Sequence, residues 1–306
     1  MRKLVSLLKG PILITGGSGQ LGHALADAAQ RRGLAYAVVS RPEFDFDVGE
    51  TIAACISAAK PRLVINAAAY TAVDAAESNA TAADGANHTG PAMLAGLCAG
   101  AGIPLIHVST DYVFDGEKGR PYLETDHTYP AGVYGASKRA GELAVLGSGA
   151  QAIILRTAWI YSAHGKNFAR TMLNAARKTN TLRVVADQKG TPTAAPDLAC
   201  AILDIAALLE LGWKPNYRGV FHATCDGETS WYCFAEAIFA AAAEAGLAPP
   251  ALTAIRTEDW PTPAKRPADS RLDCSKLAST FGVKLPAWQV SVPPIVRQLL
   301  ALDGER

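Results

Sequence analysis

The stretch from Pro11 to Gly22 leaves this chain few ways to fold. Pro11-Ile-Leu-Ile-Thr15 is a short apolar run, suited to a strand buried on both faces. It passes without a break into Gly16-Gly-Ser-Gly-Gln-Leu-Gly22, where glycines recur at every third position, Gly16, Gly19 and Gly22. A glycine at the first position permits a tight turn. The middle one lets the backbone approach a ligand, and the last lets a following helix lie close to the strand. A helical pattern through Ala24–Ala29 and a second strand at Ala35–Val39 complete a strand, glycine turn, helix and strand.

The alternation continues. A helix over Thr51–Ala59 precedes a strand at Arg62–Asn66, a helix over Asn87–Ala101 precedes one at Pro104–Ser109, and a helix over Gly135–Leu146 precedes one at Ala152–Arg156. Short strand-like runs separated by Ala-rich helices predict an α/β fold, a Rossmann-type doubly wound parallel sheet covered on both faces. The second half is less regular. It reads as a strand at Leu182–Val185, a helix over Pro196–Leu211, a strand at Gly219–Ala223 and a helix over Trp231–Ala245. Pro261, Pro263 and Pro267 then break regular structure, and Leu272, Leu277 and Phe281 resume an apolar pattern. The Pro-rich stretch is therefore read as a loop packed on the molecule. The expected division is a dinucleotide-binding domain over residues 1–160 and a smaller, mainly C-terminal substrate-binding lobe over 161–306, with a segment near 195–225 returning to the first domain.

Hydrophobic residues make up 49% of the chain and the formal net charge is +1, which supplies a large core and no basic surface for nucleic acid. Met1–Gly10 contains Leu4, Val5, Leu7 and Leu8 among basic residues, too short an apolar run to span a membrane. Cys55, Cys98, Cys200, Cys225, Cys233 and Cys274 form no C-x-x-C pair, and His88, His107 and His127 lack ligand spacing. Reduced thiols in a cytoplasmic protein without a metal are expected, with Cys225 and Cys233 the pair to inspect and His107 satisfied beside the sheet.

The glycine turn at a helix N-terminus predicts a site for the pyrophosphate of a dinucleotide, although its spacing differs from G-x-G-x-x-G. Gly16, Ser18, Gly19, Gln20, Leu21 and Gly22 are its candidate residues. Asn66-Ala67-Ala68-Ala69 follows a buried strand, and its small side chains leave room for the ligand. No acid ends the second strand to grip a ribose diol; Ser40-Arg41 stands there instead. Arg41 either neutralises a 2′-phosphate or is a solvated loop residue, and Asp47 is placed to contact adenine. The cofactor is read as NADPH or NADH, with a lean towards NADPH.

Tyr134-Gly-Ala-Ser-Lys138 puts a phenol and an ammonium on one helical face. Tyrosine is a weak acid at neutral pH, and the Lys138 charge is expected to lower its pKa. Tyr134 would then give a proton to a carbonyl oxygen as hydride arrives from the cofactor, while Lys138 also holds the nicotinamide ribose. Thr110, in Ser109-Thr-Asp111 at a strand end, is placed to orient that oxygen.

With these residues in view, the sequence resembles the extended short-chain dehydrogenase/reductase superfamily, and within it the dTDP-4-dehydrorhamnose reductase family. The resemblance rests on ITGGSGQLG (14–22), NAAAYTAVDAAE (66–77), STDYVFDG (109–116), YGASK (134–138), LRTAWIY (155–161), NFARTML (167–173), DQKGTPT (187–193) and RPADSRLDCSKL (266–277). It spans nearly the whole chain. It implies reduction of dTDP-4-dehydro-β-L-rhamnose to dTDP-β-L-rhamnose, with Thr110, Tyr134 and Lys138 catalytic. It further implies that Tyr112 and Trp159 line a sugar pocket with Val73 and Asp74 near it, and that Asn87 holds the site's architecture. Arg156 and Asn167 are read as supporting substrate or a pocket loop, and Arg266, beside Lys265, as the partner of the diphosphate. A monomer or homodimer is expected. The open alternatives are another NDP-4-keto-sugar reductase or epimerase, and a non-enzymatic NAD(P)-binding regulatory subunit.

Overall fold

The computed structural model describes residues 10–304, so most of the amino-terminal stretch read above as too short for a membrane span lies outside the described residues. The first five long strands are β1 (Ile12–Thr15), β2 (Tyr36–Val39), β3 (Leu63–Asn66), β4 (Leu105–Thr110) and β5 (Ala152–Thr157). All pair in parallel, in the order β2-β1-β3-β4-β5, and the strand Gly219–His222 adds to the far edge of β5. The chain crosses from β1 to one side for β2 and then to the other for β3. The crevice between β1 and β3 is thus the switch point at which such sheets bind ligands.

Alternation within the strands builds two cores. Ile12, Ile14, Leu63, Ile65, Ile106, Ile153 and Leu155 face one side, packed with the helices Gln20–Arg31 and Ala195–Leu209. Leu13, Val64, Leu105 and Ile154 face the other, against Gly49–Ala59 and Gly90–Ala101. A strand covered on both sides must be apolar at every position, which is why these runs read as continuous in the sequence. The doubly wound sheet predicted from the sequence is the fold observed.

Beyond the sheet, Thr181–Val185 pairs in parallel with Ala251–Ile255; the helices Phe168–Ala176 and Trp231–Glu244 pack on this pair, Trp288–Gly304 packs on Trp231–Glu244, and Ser275–Phe281 packs on the strand Gly219–His222. The strand Ala251–Ile255 and the helices Phe168–Ala176 and Trp288–Gly304 are not foreseen by the sequence reading. The last contains Pro293 and Pro294, the residues that most discourage a helical assignment. Asn87, expected to open a helix, sits in a π-turn, Gly85–Thr89, that leads into the helix Gly90–Ala101. The Pro-rich segment lies against the sheet's loops: Asp269 N donates to Gly116 O at 3.1 Å and Ala264 N to Asp74 Oδ1 at 3.2 Å. All cysteines are free thiols, Cys225 buried and Cys233 exposed. Among the described residues no helix is long and apolar enough to cross a membrane, and no three His, Cys, Asp or Glu side chains are grouped to hold a metal.

Candidate active site

The carboxyl ends of β1, β3, β4 and β5 open onto one cavity of about 770 Å³. Its floor is the glycine turn. Gly16 has φ +73°, and a Cβ there would stand 2.7 Å from the Ala67 carbonyl carbon and the Ala68 nitrogen. The turn is therefore pressed against the Ala67–Ala69 segment, and only glycine satisfies both the conformation and the space. A Cβ on Gly22 would lie 2.2 Å from Gly16 O, the close helix–turn approach that its spacing predicts. The helix Gln20–Arg31 starts at Gly19 with no side-chain cap and no acid in its first turn. Its first N–H groups are left for an anion, which fits the pyrophosphate of a dinucleotide.

Gly16, Ser18, Gly19, Gln20, Leu21, Ala67, Ala68 and Ala69 line this end of the cavity. Asn66 does not; its side chain turns inward and fixes the strand ends. Its Oδ1 accepts from the Thr15 hydroxyl at 2.6 Å and from Ala68 N at 3.1 Å, so its Nδ2 is the donor towards His107 Nδ1 at 2.9 Å. His107 is therefore an acceptor at Nδ1 and carries its proton on Nε2. Burial holds its pKa well below the usual imidazole range. Only one of its ring nitrogens has a partner among the described residues, so the expected satisfied histidine is half satisfied.

At the far end Arg41 lines the cavity, but its guanidinium is held by two carboxylates, Asp45 through Nε and Asp47 through Nη2, both at 3.0 Å. Asp47 is not among the lining residues. Phe44 and Phe46, not singled out in the sequence, form an apolar wall there.

The end of the cavity that holds Tyr134 and Lys138 is built on β4 and the helix Val133–Gly147. Tyr134, in that helix's first turn, is 8% exposed, and its ring meets Tyr112 edge-on at 5.6 Å. Lys138, one turn on, is buried and donates to Val108 O at 2.7 Å. The expected effect of Lys138 on Tyr134 is not what the structure shows. Burial pushes the phenol up to about 12, and the group that pulls it down is the Thr110 side chain, hydrogen-bonded to it. Burial brings Lys138 down to about 8, against the opposing charge of Glu142. At neutral pH the pair is therefore a protonated phenol beside a largely protonated ammonium. Thr110 donates its hydroxyl to Asp111 Oδ1 at 3.0 Å and accepts from Tyr112 N at 3.2 Å. Burial raises Asp111 to about 6 against the pull of the Ser270 and Thr110 hydroxyls. Asn87 ties the helix to the loop after β3: its Oδ1 accepts from Tyr70 N at 2.9 Å, and its Nδ2 donates to Tyr70 O at 3.0 Å and to Ser137 Oγ at 3.1 Å.

Opposite Tyr134 the cavity wall is aromatic. Trp159, in the left-handed region at φ 47°, stacks on Trp231 with ring centroids 3.5 Å apart. A residue other than glycine is strained there, and strain of this kind concentrates at functional sites. Val73, Tyr112 and Trp159 line the cavity as expected, joined by Trp231, Asp111 and Lys166, which the sequence reading does not assign. Asp74 and Arg266 do not line it and bind each other, Nη2 to Oδ2 at 2.7 Å. Arg266 Nη1 is buried with no hydrogen-bond partner among the described residues. Asn167 also stands behind the lining. It caps the helix Phe168–Ala176 through Arg170 N at 3.0 Å and reaches Gln20 Oε1 at 3.0 Å. Arg156 likewise supports from behind, bound to Glu142 by two bonds of 2.8 and 2.7 Å.

The family model described as RmlD substrate binding domain matches residues 10–301. A dTDP-4-dehydrorhamnose reductase of Sinorhizobium fredii is 43% identical over 294 residues, 96% of this chain and 99% of its own. The crystal structure of a dTDP-4-dehydrorhamnose reductase from Clostridium acetobutylicum superposes with a TM-score of 0.87 at 36% identity, covering 95% of this chain and 99% of that one. One from Bacillus anthracis in complex with NADP gives 0.86 at 29% identity, covering 95% and 100%. The chain belongs to the dTDP-4-dehydrorhamnose reductase family.

Proposed function

We propose that this cavity reduces the 4-keto group of dTDP-4-dehydro-β-L-rhamnose to give dTDP-β-L-rhamnose. The observation that carries this is one cavity holding the uncapped glycine turn, the Thr110–Tyr134–Lys138 group and the Trp159–Trp231 wall. When bound, NADH or NADPH supplies the hydride. Tyr134, protonated at neutral pH, gives its proton to the developing alkoxide at C4. Thr110, hydrogen-bonded to the phenol and anchored on Asp111, orients Tyr134. Lys138 holds the nicotinamide ribose. The indole wall takes the apolar face of the sugar, and Arg266, which Asp74 holds behind the cavity lining, is the guanidinium assigned to the diphosphate in this reading.

Residues 1–160 carry the cofactor in this reading and 161–306 mainly the substrate, with the segment near 195–225 belonging to the first sheet. With Arg41 already neutralised by Asp45 and Asp47, a 2′-phosphate gains little there, so NADH serves as well as NADPH. A cytoplasmic monomer or homodimer fits the reading.

The test is incubation with dTDP-4-dehydro-L-rhamnose and reduced cofactor. The expected result is one cofactor oxidised per dTDP-L-rhamnose formed. Sugar epimerisation without net cofactor oxidation, or no turnover by protein that binds cofactor, sinks the assignment. Asp111 adds a pH signature. The rate is expected to fall below about pH 6, where its carboxyl takes up a proton and stops serving as a pure acceptor for Thr110. In Asp111→Asn that acidic limb should vanish from the kcat/KM profile at a lower plateau; a limb that stays unmoved assigns it to another group.

A further inference from the structure

We propose that Lys166 holds the diphosphate bridge of the dinucleotide cofactor, presented over the glycine turn by a loop that Gln20 clamps. The proposal rests on the reading above that the cavity takes such a cofactor.

Among the described residues three cations line the cavity: Arg41, Lys138 and Lys166. Arg41 is neutralised by Asp45 and Asp47. Lys138 is buried at the reacting end and engaged with Val108 O. Lys166 is exposed, and its ammonium has no hydrogen-bond or ion-pair partner among the described residues.

Its position is fixed from behind. Gln20 Nε2 donates to Ile160 O at 3.5 Å and to Lys166 O at 3.4 Å, and Gln20 Oε1 accepts from Ser162 Oγ and Asn167 Nδ2, both at 3.0 Å. One side chain at the helix start therefore gathers both ends of the loop between residues 160 and 167. Gly165 passes directly over it, since a Cβ there would stand 3.2 Å from Gln20 Cγ. On the outer side His164 stacks on His23 of the same helix, centroids 4.8 Å apart. Gln20, expected to touch the cofactor, thus spends its side chain on the loop.

The electrostatics point to an anion. The loop puts a cation on the wall of the same cavity as the positive end of a helix whose first turn holds no carboxylate. Like charges placed together, with room between them on a cavity wall, are reconciled by a negatively charged ligand that both contact. The group of a dinucleotide that reaches a glycine turn is its doubly charged diphosphate, so Lys166 closes from above a site that the helix N–H groups form from below.

The experiment is fluorescence or calorimetric titration of wild type, Lys166→Ala and Lys166→Arg with NADH, NADPH, ADP-ribose and adenosine. Lys166→Ala is expected to bind the first three about tenfold more weakly, ~1.4 kcal/mol, by the same factor for each, with a shallower dependence on salt. Lys166→Arg should retain most of the affinity, and adenosine should not respond. A loss confined to NADPH places Lys166 at the 2′-phosphate and overturns the proposal. Unchanged cofactor binding with a raised KM for the sugar nucleotide overturns it in favour of the substrate's diphosphate. If the wild type binds neither NADH nor NADPH, the functional reading itself fails and takes the proposal with it.

Discussion

Tyr134→Phe is expected to lower kcat by roughly a thousandfold, within the ~10²–10⁴ that a positioned proton donor contributes, while leaving the Kd for NADH and NADPH within about twofold. The substitution removes only the hydroxyl. The ring keeps its edge-on contact with Tyr112 and its packing against Ala76 and Ala83, so the helix Val133–Gly147 has no reason to move. What is lost is the only group on that helix's first turn that combines a transferable proton with a hydrogen bond to Thr110. Because burial keeps the phenol near 12, wild-type Tyr134 is protonated throughout the neutral range, and the proton loss of this one residue should not limit the reductive rate below about pH 9. The measurement is single-turnover oxidation of bound cofactor at several pH values, with a binding titration and a melting curve for each variant. Retention of more than a tenth of the wild-type rate by the Phe variant, with cofactor bound and the fold intact, moves the proton donor elsewhere in the cavity.

What could be read from the sequence divides along a physical line. Gly16, Gly19 and Gly22 act through their own backbone and near neighbours, and Tyr134 and Lys138 through one turn of helix, so their spacing carries their geometry. The buried strands declare themselves because a doubly covered strand must be apolar throughout. Arg266 and Asp74 lie 192 positions apart, and nothing local tells that an arginine suited to a diphosphate is first held by an aspartate. Arg41 illustrates the same limit at short range. Its partners lie four and six residues on, but a sequence does not say whether a turn will fold the acids back onto the base. Lys166 and Trp231 line the cavity from the loop after Ile160 and the start of the helix Trp231–Glu244, far along the chain from the glycine turn. The strand Ala251–Ile255 is mostly exposed and lacks a clean alternation, so no hydrophobic signal marks it. In each of these cases the missing information is a partner supplied by tertiary structure.

Arg156→Met is expected to cost about 3–5 kcal/mol of stability, the usual consequence of removing one member of a buried ion pair. Arg156 and Glu142 have side chains only 5% and 4% exposed and share two hydrogen bonds, and the guanidinium lies 4.9 Å over the Phe114 ring. Methionine fills much of the same space but leaves the Glu142 carboxylate desolvated without a partner. Replacing both, as Glu142→Leu with Arg156→Met, removes that unpaired charge together with an arginine Nη1 that has no partner among the described residues, so most of the lost stability should return. The pH dependence of activity should nonetheless change. Glu142 stands one turn beyond Lys138 and is the charge that opposes the effect of burial on that lysine. Without it the Lys138 pKa drops below about 8, its ammonium is lost at a lower pH, and the basic limb of the kcat/KM profile should shift towards neutrality. Denaturant unfolding measures the first effect and the pH profile the second. A double variant with restored stability and an unshifted basic limb makes the pair purely structural. One that stays as unstable as Arg156→Met shows that the two side chains hold the helix Val133–Gly147 to β5 by shape as well as by charge. If the stability returns and the limb shifts, the same carboxylate both fastens the helix Val133–Gly147 to the sheet and keeps its lysine charged.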